Sequence, residues 1–248
     1  MTSIINLIDQ IEYPSEDGQP VAESDFQREY LLQSVEMLRH HFQSRSDVYV
    51  SGNLFIYYEQ GNPKAVVAPD VFVVLGISNH DRMSYKLWEE NNQVPAFVME
   101  VTSKSTVSED QGVKKGLYAF LGIQEYFQYD PTGDYLEPRL QGLRLMEGNY
   151  LPIPAMTSDA QDSLIIPSAT LDLELHLQAG ELRFYNPQSQ AFLRNYRETD
   201  AALQQAEKAM QQAETARQQA EQLAKEERLR AERLAVKLKE LGIDPQQL

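Results

Sequence analysis

The chain has 248 residues, 37 acidic against 22 basic, a formal net charge of −15 and no cysteine. That length supports a sizeable core without disulfides, and the missing cysteines exclude a thiol nucleophile, a thiolate zinc site and a disulfide framework. His40, His41, His80 and His176 have no ligand-like spacing, no run is long and apolar enough to span a membrane, and the early acidic residues are unlike a secretory signal, so an acidic cytoplasmic protein is expected.

Residues 1–24 read as an acidic, poorly ordered lead. Asp9, Glu12, Glu16, Asp17, Glu23 and Asp25 precede the first base, Arg28. A domain is expected over 25–192. Ser24 and Asp25 are cap candidates for a helix over Phe26–Phe42, whose apolar residues recur at helical spacing. Strand-like runs follow at Val48–Tyr58 and Val66–Leu75, joined by the turn residues Gln60-Gly61-Asn62-Pro63, and read as a hairpin. A strand at Ala96–Thr102, a helix at Glu109–Leu121 closed by Gly122, and a strand at Gln124–Tyr129 make a βαβ unit and so a parallel strand pair. In that helix Val113, Leu117, Phe120 and Leu121 are the expected core residues. Short strands and turns fill 139–192. The order αβββαβ predicts an α/β fold, a mixed sheet flanked by helices.

Near residue 197 the composition turns, to about 240, to Ala, Gln, Glu, Lys, Arg and Leu, the strongest helix formers, and a coiled-coil segment is expected over 193–243. Ala206, Ala209, Ala213, Ala216, Ala220, Leu223, Glu227, Ala231, Leu234, Leu238 and Leu241 recur in steps of three and four. This is a heptad seam with one stutter at Glu227. It predicts a coiled-coil helix, in a homo-oligomer or with another coiled-coil partner, stopped by Gly242 and Pro245.

Two carboxylates stand out in the domain. Glu100 lies late in the apolar strand Ala96–Thr102, on the face opposite Phe97, Met99 and Val101, and an ionised group there is costly to bury unpaired. Asp70 directly precedes the apolar run Val71–Leu75. Read singly, Glu100 is a solvated strand end or the partner of a structural Lys, and Asp70 is a turn residue after Pro69. If the two strands are neighbours, both carboxylates reach one sheet edge, where they repel unless a cation lies between them. Few hard oxygen ligands with waters completing the shell suit Mg²⁺. Lys114, on one helical stripe with Tyr118, can reach back toward that edge, and Lys104 in the intervening loop competes with it.

These residues resemble a known group. Asp70, Glu100-Val101-Thr102-Ser103, Asp110-x-x-x-Lys114-x-x-x-Tyr118 and Gly122-Ile123-Gln124-Glu125-Tyr126 are similar to the restriction-endonuclease-like proteins of the PD-(D/E)XK nuclease superfamily, over about residues 24–190. The resemblance implies the αβββαβ core and Mg²⁺-dependent hydrolysis of nucleic acid, with DNA the expected substrate and Mn²⁺ a substitute. Asp70, Glu100 and the carbonyl of Val101 would hold the metal. The superfamily's basic residue would fall at 102, where Thr102 stands, and Lys114 takes its place. Tyr118 is expected to pack, and Glu125 to orient Lys114 or to serve structure.

The charge balance bears on this reading. Residues 197–248 hold nine bases and ten acids, and residues 1–27 hold six acids and no base, which leaves about −8 on residues 28–196. A nuclease neutralises phosphates with Lys and Arg, so weak, salt-sensitive DNA binding or a helping partner is expected. The alternative is an inactive nuclease-fold scaffold that assembles through its C-terminal helix. A glycosidase using the carboxylate pair leaves Lys114 unexplained.

Overall fold

Apolar residues alternating in short extended runs build a six-stranded sheet in this computed structural model, which describes residues 11–15, 25–103, 106–157 and 163–240. Lys104, the cap candidate Ser24, the Gly242–Pro245 stop and most of the acidic lead lie outside the described residues. The chain divides into two units, Met1–Tyr196 and Arg197–Leu248. In the first, α1 spans Asp25–His41, β1 Val48–Ser51, β2 Ile56–Tyr57, β3 Val66–Val67, β4 Val71–Leu75, β5 Tyr85–Lys86 and β6 Phe97–Val101. Three successive helical pieces, Val107–Glu109, the π-turn Asp110–Lys114 and Lys115–Leu121, together form α2. Then come β7 Glu125–Tyr129, β8 Leu140–Met146, β9 Asn149–Pro152, β10 Met156–Thr157, β11 Leu164–Ser168, β12 Leu173–Gln178, β13 Glu181–Asn186 and β14 Ala191–Phe192. The helix α3, Tyr196–Glu240, makes up the described part of the second unit.

The main sheet runs β1-β4-β6-β7-β8-β9, the next β10-β11-β12-β13-β14, and the smallest β3-β2-β5. Only β6 and β7 pair in parallel within the main sheet, as the intervening helix α2 requires. The sequence order αβββαβ is therefore present as α1, β1, β4, β6, α2, β7. Side-chain alternation sorts the sheet into two faces. Val50, Val73, Phe97, Met99 and Phe127 pack beneath α1 and the second sheet. Tyr49, Phe72, Val98 and Tyr126 face the other way, with Tyr118 of α2 and Tyr85 of the small sheet.

Two sequence expectations change here. The hairpin of 48–58 with 66–75 is split between sheets: β1 pairs with β4, whereas β2 pairs with β3. The break falls at Gly52, where an added Cβ would lie 2.2 Å from the Asp70 carbonyl oxygen and 2.7 Å from Val35. The next residue, Asn53, has φ 49° and donates its N–H to the Pro69 carbonyl at 2.9 Å. In α2, Val113 and Phe120 are 72% and 83% exposed, while Tyr118 is fully buried and Leu117 and Leu121 are half-buried. Leu117 and Leu121 pack against the core as expected, whereas the stripe Asp110, Lys114 and Tyr118, not Val113 and Phe120, also turns toward the sheet. Gly122 ends it in the left-handed conformation at φ 84°, as a helix-stop glycine should.

Beyond β7 the chain reverses around one carboxylate. Asp130 accepts the N–H groups of Thr132, Gly133, Tyr135 and Leu136 and the Thr132 hydroxyl, at 2.7–3.1 Å. Burial opposes its ionisation, but the N–H of Tyr135, the Thr132 hydroxyl and the N–H groups of Gly133 and Leu136 outweigh that and hold its pKa below the usual carboxylate range. A carboxyl depressed in the folded state adds stability above its unfolded pKa and loses it as pH falls through the folded one. The variant D130N is expected to unfold about 2 kcal/mol more easily in urea at neutral pH. The gap between variant and wild type should narrow below about pH 4; a gap that stays constant with pH would contradict this account.

Candidate metal and phosphate site

Four sequence segments converge on one end of the main sheet. The pairing of β4 with β6 matches Val71 with Met99, so one further step sets Asp70 opposite Glu100. Both residues then fall on the face that carries Phe72 and Val98. Asp70 Oδ2 accepts the Val101 N–H at 2.7 Å, and the Asp70 N–H lies 3.4 Å from Glu100 Oε2. Gly52 lets β1 pass against the Asp70 backbone, so the turn that aims Asp70 depends on a residue without a side chain.

Glu100 is fully buried. Its Oε1 accepts the Tyr118 hydroxyl at 2.5 Å, and its Oε2 lies 3.0 Å from Lys114 Nζ. The same ammonium is 3.2 Å from Asp110 Oδ1. Asp110, Lys114 and Tyr118 stand four residues apart, one turn above another, which is why all three reach the sheet. The π-turn covers Asp110–Lys114, and the Tyr126 hydroxyl donates to the Asp110 carbonyl at 2.9 Å. Such turns widen a helix locally and recur at functional sites.

The electrostatics follow from three carboxylates around one ammonium. Burial, then the charge of Asp70, raises the Glu100 pKa well above the usual range, against the opposing pull of Lys114. Burial alone would lower the Lys114 pKa, but Glu100, Asp110 and Asp70 more than reverse it, so the side chain stays protonated. Burial and the neighbouring Glu100 likewise raise the Tyr118 pKa, and its hydroxyl remains a donor.

The site therefore brings together Asp70, Glu100, Val101 and Lys114. Tyr118, expected to pack, both packs and donates to Glu100. Glu125 does not orient Lys114: it binds Arg144 at 2.7 Å and the Ser168 hydroxyl at 2.6 Å, tying β7 to β8 and to the end of β11. Asp110 and Gln27 had no role assigned from sequence. Gln27 Nε2 donates to the Val101 carbonyl at 2.9 Å. For Asp110 the four-residue spacing to Lys114 was a usable signal; for Gln27 there was none.

Among the described residues no three His, Asp or Glu side chains form a metal-ligand cluster. The protein's share of a cation shell would be two carboxylates and a carbonyl, a set of hard oxygens that suits an ion retaining several waters. Two observations fit such an ion. Three carboxyl groups surround a single ammonium, and the buried Asp110 oxygens have no hydrogen-bond donor, only the ion pair to Lys114.

Lys114 also has a structural role that can be measured. Its side chain is 13% exposed and faces two carboxylates that are each 1% exposed. K114M is expected to lower stability by about 3 kcal/mol, because it leaves buried carboxylates without their cation. The double variant K114M/E100Q should lose at least about 1 kcal/mol less than the sum of its single variants in urea unfolding; strict additivity would rule out the coupling.

Comparison with known proteins places this geometry in context. A crystal structure described as a "putative nuclease belonging to DUF820" from Anabaena variabilis is similar, at 12% identity and a TM-score of 0.43, over 63% of this chain and 81% of that one. No curated protein matches. Residues 7–179 match the Uma2 family, described as "putative restriction endonuclease". With that match spanning more than half of the sequence, the chain belongs to the Uma2 family.

Proposed function

We propose that the protein is a Mg²⁺-dependent endonuclease of the cytoplasm that hydrolyses DNA phosphodiester bonds, with Mn²⁺ as an alternative ion. Asp70, Glu100 and the Val101 carbonyl are the assigned metal ligands, and Asp70, Glu100 and Lys114 the assigned catalytic residues. The observation that carries the reading is the approach of Lys114 Nζ to Glu100 beside Asp70, from a helix 14 residues further along the chain.

The bound ion would supply Lewis acidity, ionising a water and neutralising phosphoryl charge. The residues do the rest. Lys114, kept protonated by its carboxylate neighbours, donates to the phosphoryl group and offsets the charge that builds there. Tyr118 and the Asp70 N–H fix the rotamer of Glu100, and Asp110 holds Lys114 over it. Water attacks phosphorus in line and gives up a proton to solvent, the bond from phosphorus to the leaving sugar oxygen breaks, and that oxygen takes a proton from solvent to leave as a hydroxyl. The low base content of residues 28–196 favours a second reading, a catalytically silent scaffold on the same fold.

Plasmid cleavage separates the two. Wild-type protein with Mg²⁺ or Mn²⁺ is expected to nick or cut DNA, and chelation should stop it. D70N, E100Q and K114M should each fall by at least about 100-fold, with circular dichroism showing the fold retained. No cleavage of DNA by the wild type with either ion, or undiminished cleavage by all three variants, would overturn the nuclease assignment.

A further inference from the structure

The helix α3 leaves an apolar face uncovered along its described length: Leu223 and Leu234 are 60% and 54% exposed, and Met210 77%. Its Ala, Glu, Gln and Lys content and pairs such as Arg228–Glu232 at 3.2 Å hold the helix itself. Exposed pairs of this kind contribute little and do not explain the seam.

We infer that α3 pairs with α3 of a second copy of this chain, and that the two helices run antiparallel. Three features of the sequence along the helix select this occupant and this direction. The seam is graded in size. Alanines fill its first half, at 209, 213, 216 and 220, while its second half holds leucines at 223, 234 and 238 around Glu227 and Ala231. A parallel pair sets alanine against alanine and leaves that half thinly packed. An antiparallel pair with its two-fold axis beside Leu223 sets Ala209 against Leu238 and Ala213 against Leu234, small against large in both of these layers, and leaves Ala216 against Ala231 as the one alanine pair between them.

The second feature is the polar residue in the seam. In a parallel pair Glu227 faces Glu227 of the other copy, two like charges in a partly desolvated layer. In the antiparallel register above, Glu227 meets the small Ala220 and no longer faces its own copy. The heptad stutter at Glu227 supports the same register, because only with the stutter do the layers on both sides of the axis stay aligned.

The third is net charge. Residues 197–221 carry three bases and five acids, and residues 222–240 six bases and four acids. Parallel helices would set −2 against −2 and +2 against +2. Antiparallel helices set the acidic half against the basic half and also oppose the two helix dipoles.

The absence of cysteine makes the test direct, since one introduced cysteine labels at one place. Light scattering on the full chain should give the mass of two copies, and L234E/L238E should give the mass of one. Spin labels on Q222C are expected within about 25 Å of each other across the pair, and those on Q204C about 60 Å apart, from the rise per residue of a helix. Short distances at both positions would overturn the antiparallel assignment. A single-copy mass for the wild type would overturn self-pairing altogether.

Discussion

A carboxyl group with no exposure to water, Glu100, sits near the end of an inner strand of the main sheet, and the surrounding structure is arranged to meet its needs. An unpaired charge there would cost several kcal/mol. Lys114 comes from α2 to supply a cation, Tyr118 supplies a hydroxyl, and the Asp70 backbone supplies an N–H. Each donor imposes a condition on the fold. Lys114 and Tyr118 require a polar stripe on α2, Asp70 requires β4 beside β6, and the Asp70 turn requires a glycine at 52. Three carboxyl groups share one ammonium there, and the proposed metal ion would add a second cation beside them.

Much of this arrangement was legible in the residues. Strict alternation in Phe97–Val101 placed Glu100 on the face away from Phe97 and Met99, and the βαβ spacing implied a parallel β6 and β7. What remained hidden depended on backbone approach and helix rotation. Nothing in a hydropathy pattern shows that Gly52 lies against the Asp70 carbonyl, and so the run Val48–Tyr58 read as one strand when it is two. In α2 the apolar residues Val113 and Phe120 suggested a buried face, yet the helix turns Asp110, Lys114 and Tyr118 inward. That rotation satisfies Glu100 while still packing Leu117, Tyr118 and Leu121 against the sheet. Gln27 was out of reach for a similar reason, since its bond to the Val101 carbonyl spans 74 residues.

The acidic balance of the chain acquires a different meaning once the residues are in place. Asp70, Glu100 and Asp110 crowd one ammonium, so part of the acidic content is concentrated at one end of the main sheet. Other acids are structural: Glu125 and Asp130 are buried and bound by Arg144 and by a fan of backbone N–H groups. In α3 the charge is nearly balanced but graded from end to end, a pattern suited to pairing between helices rather than to binding phosphate. Net charge alone therefore describes neither the site nor the surface of this molecule.

The central claim is that the Asp70–Glu100 pair is built to hold a divalent metal. A crystal of the protein soaked in Mn²⁺ and measured for anomalous scattering tests it most directly. The account predicts a peak within coordinating distance of carboxylate oxygens from both Asp70 and Glu100, lost in D70N. A Mn²⁺ peak bound only elsewhere, or none at a concentration that saturates other oxygen sites, would contradict it.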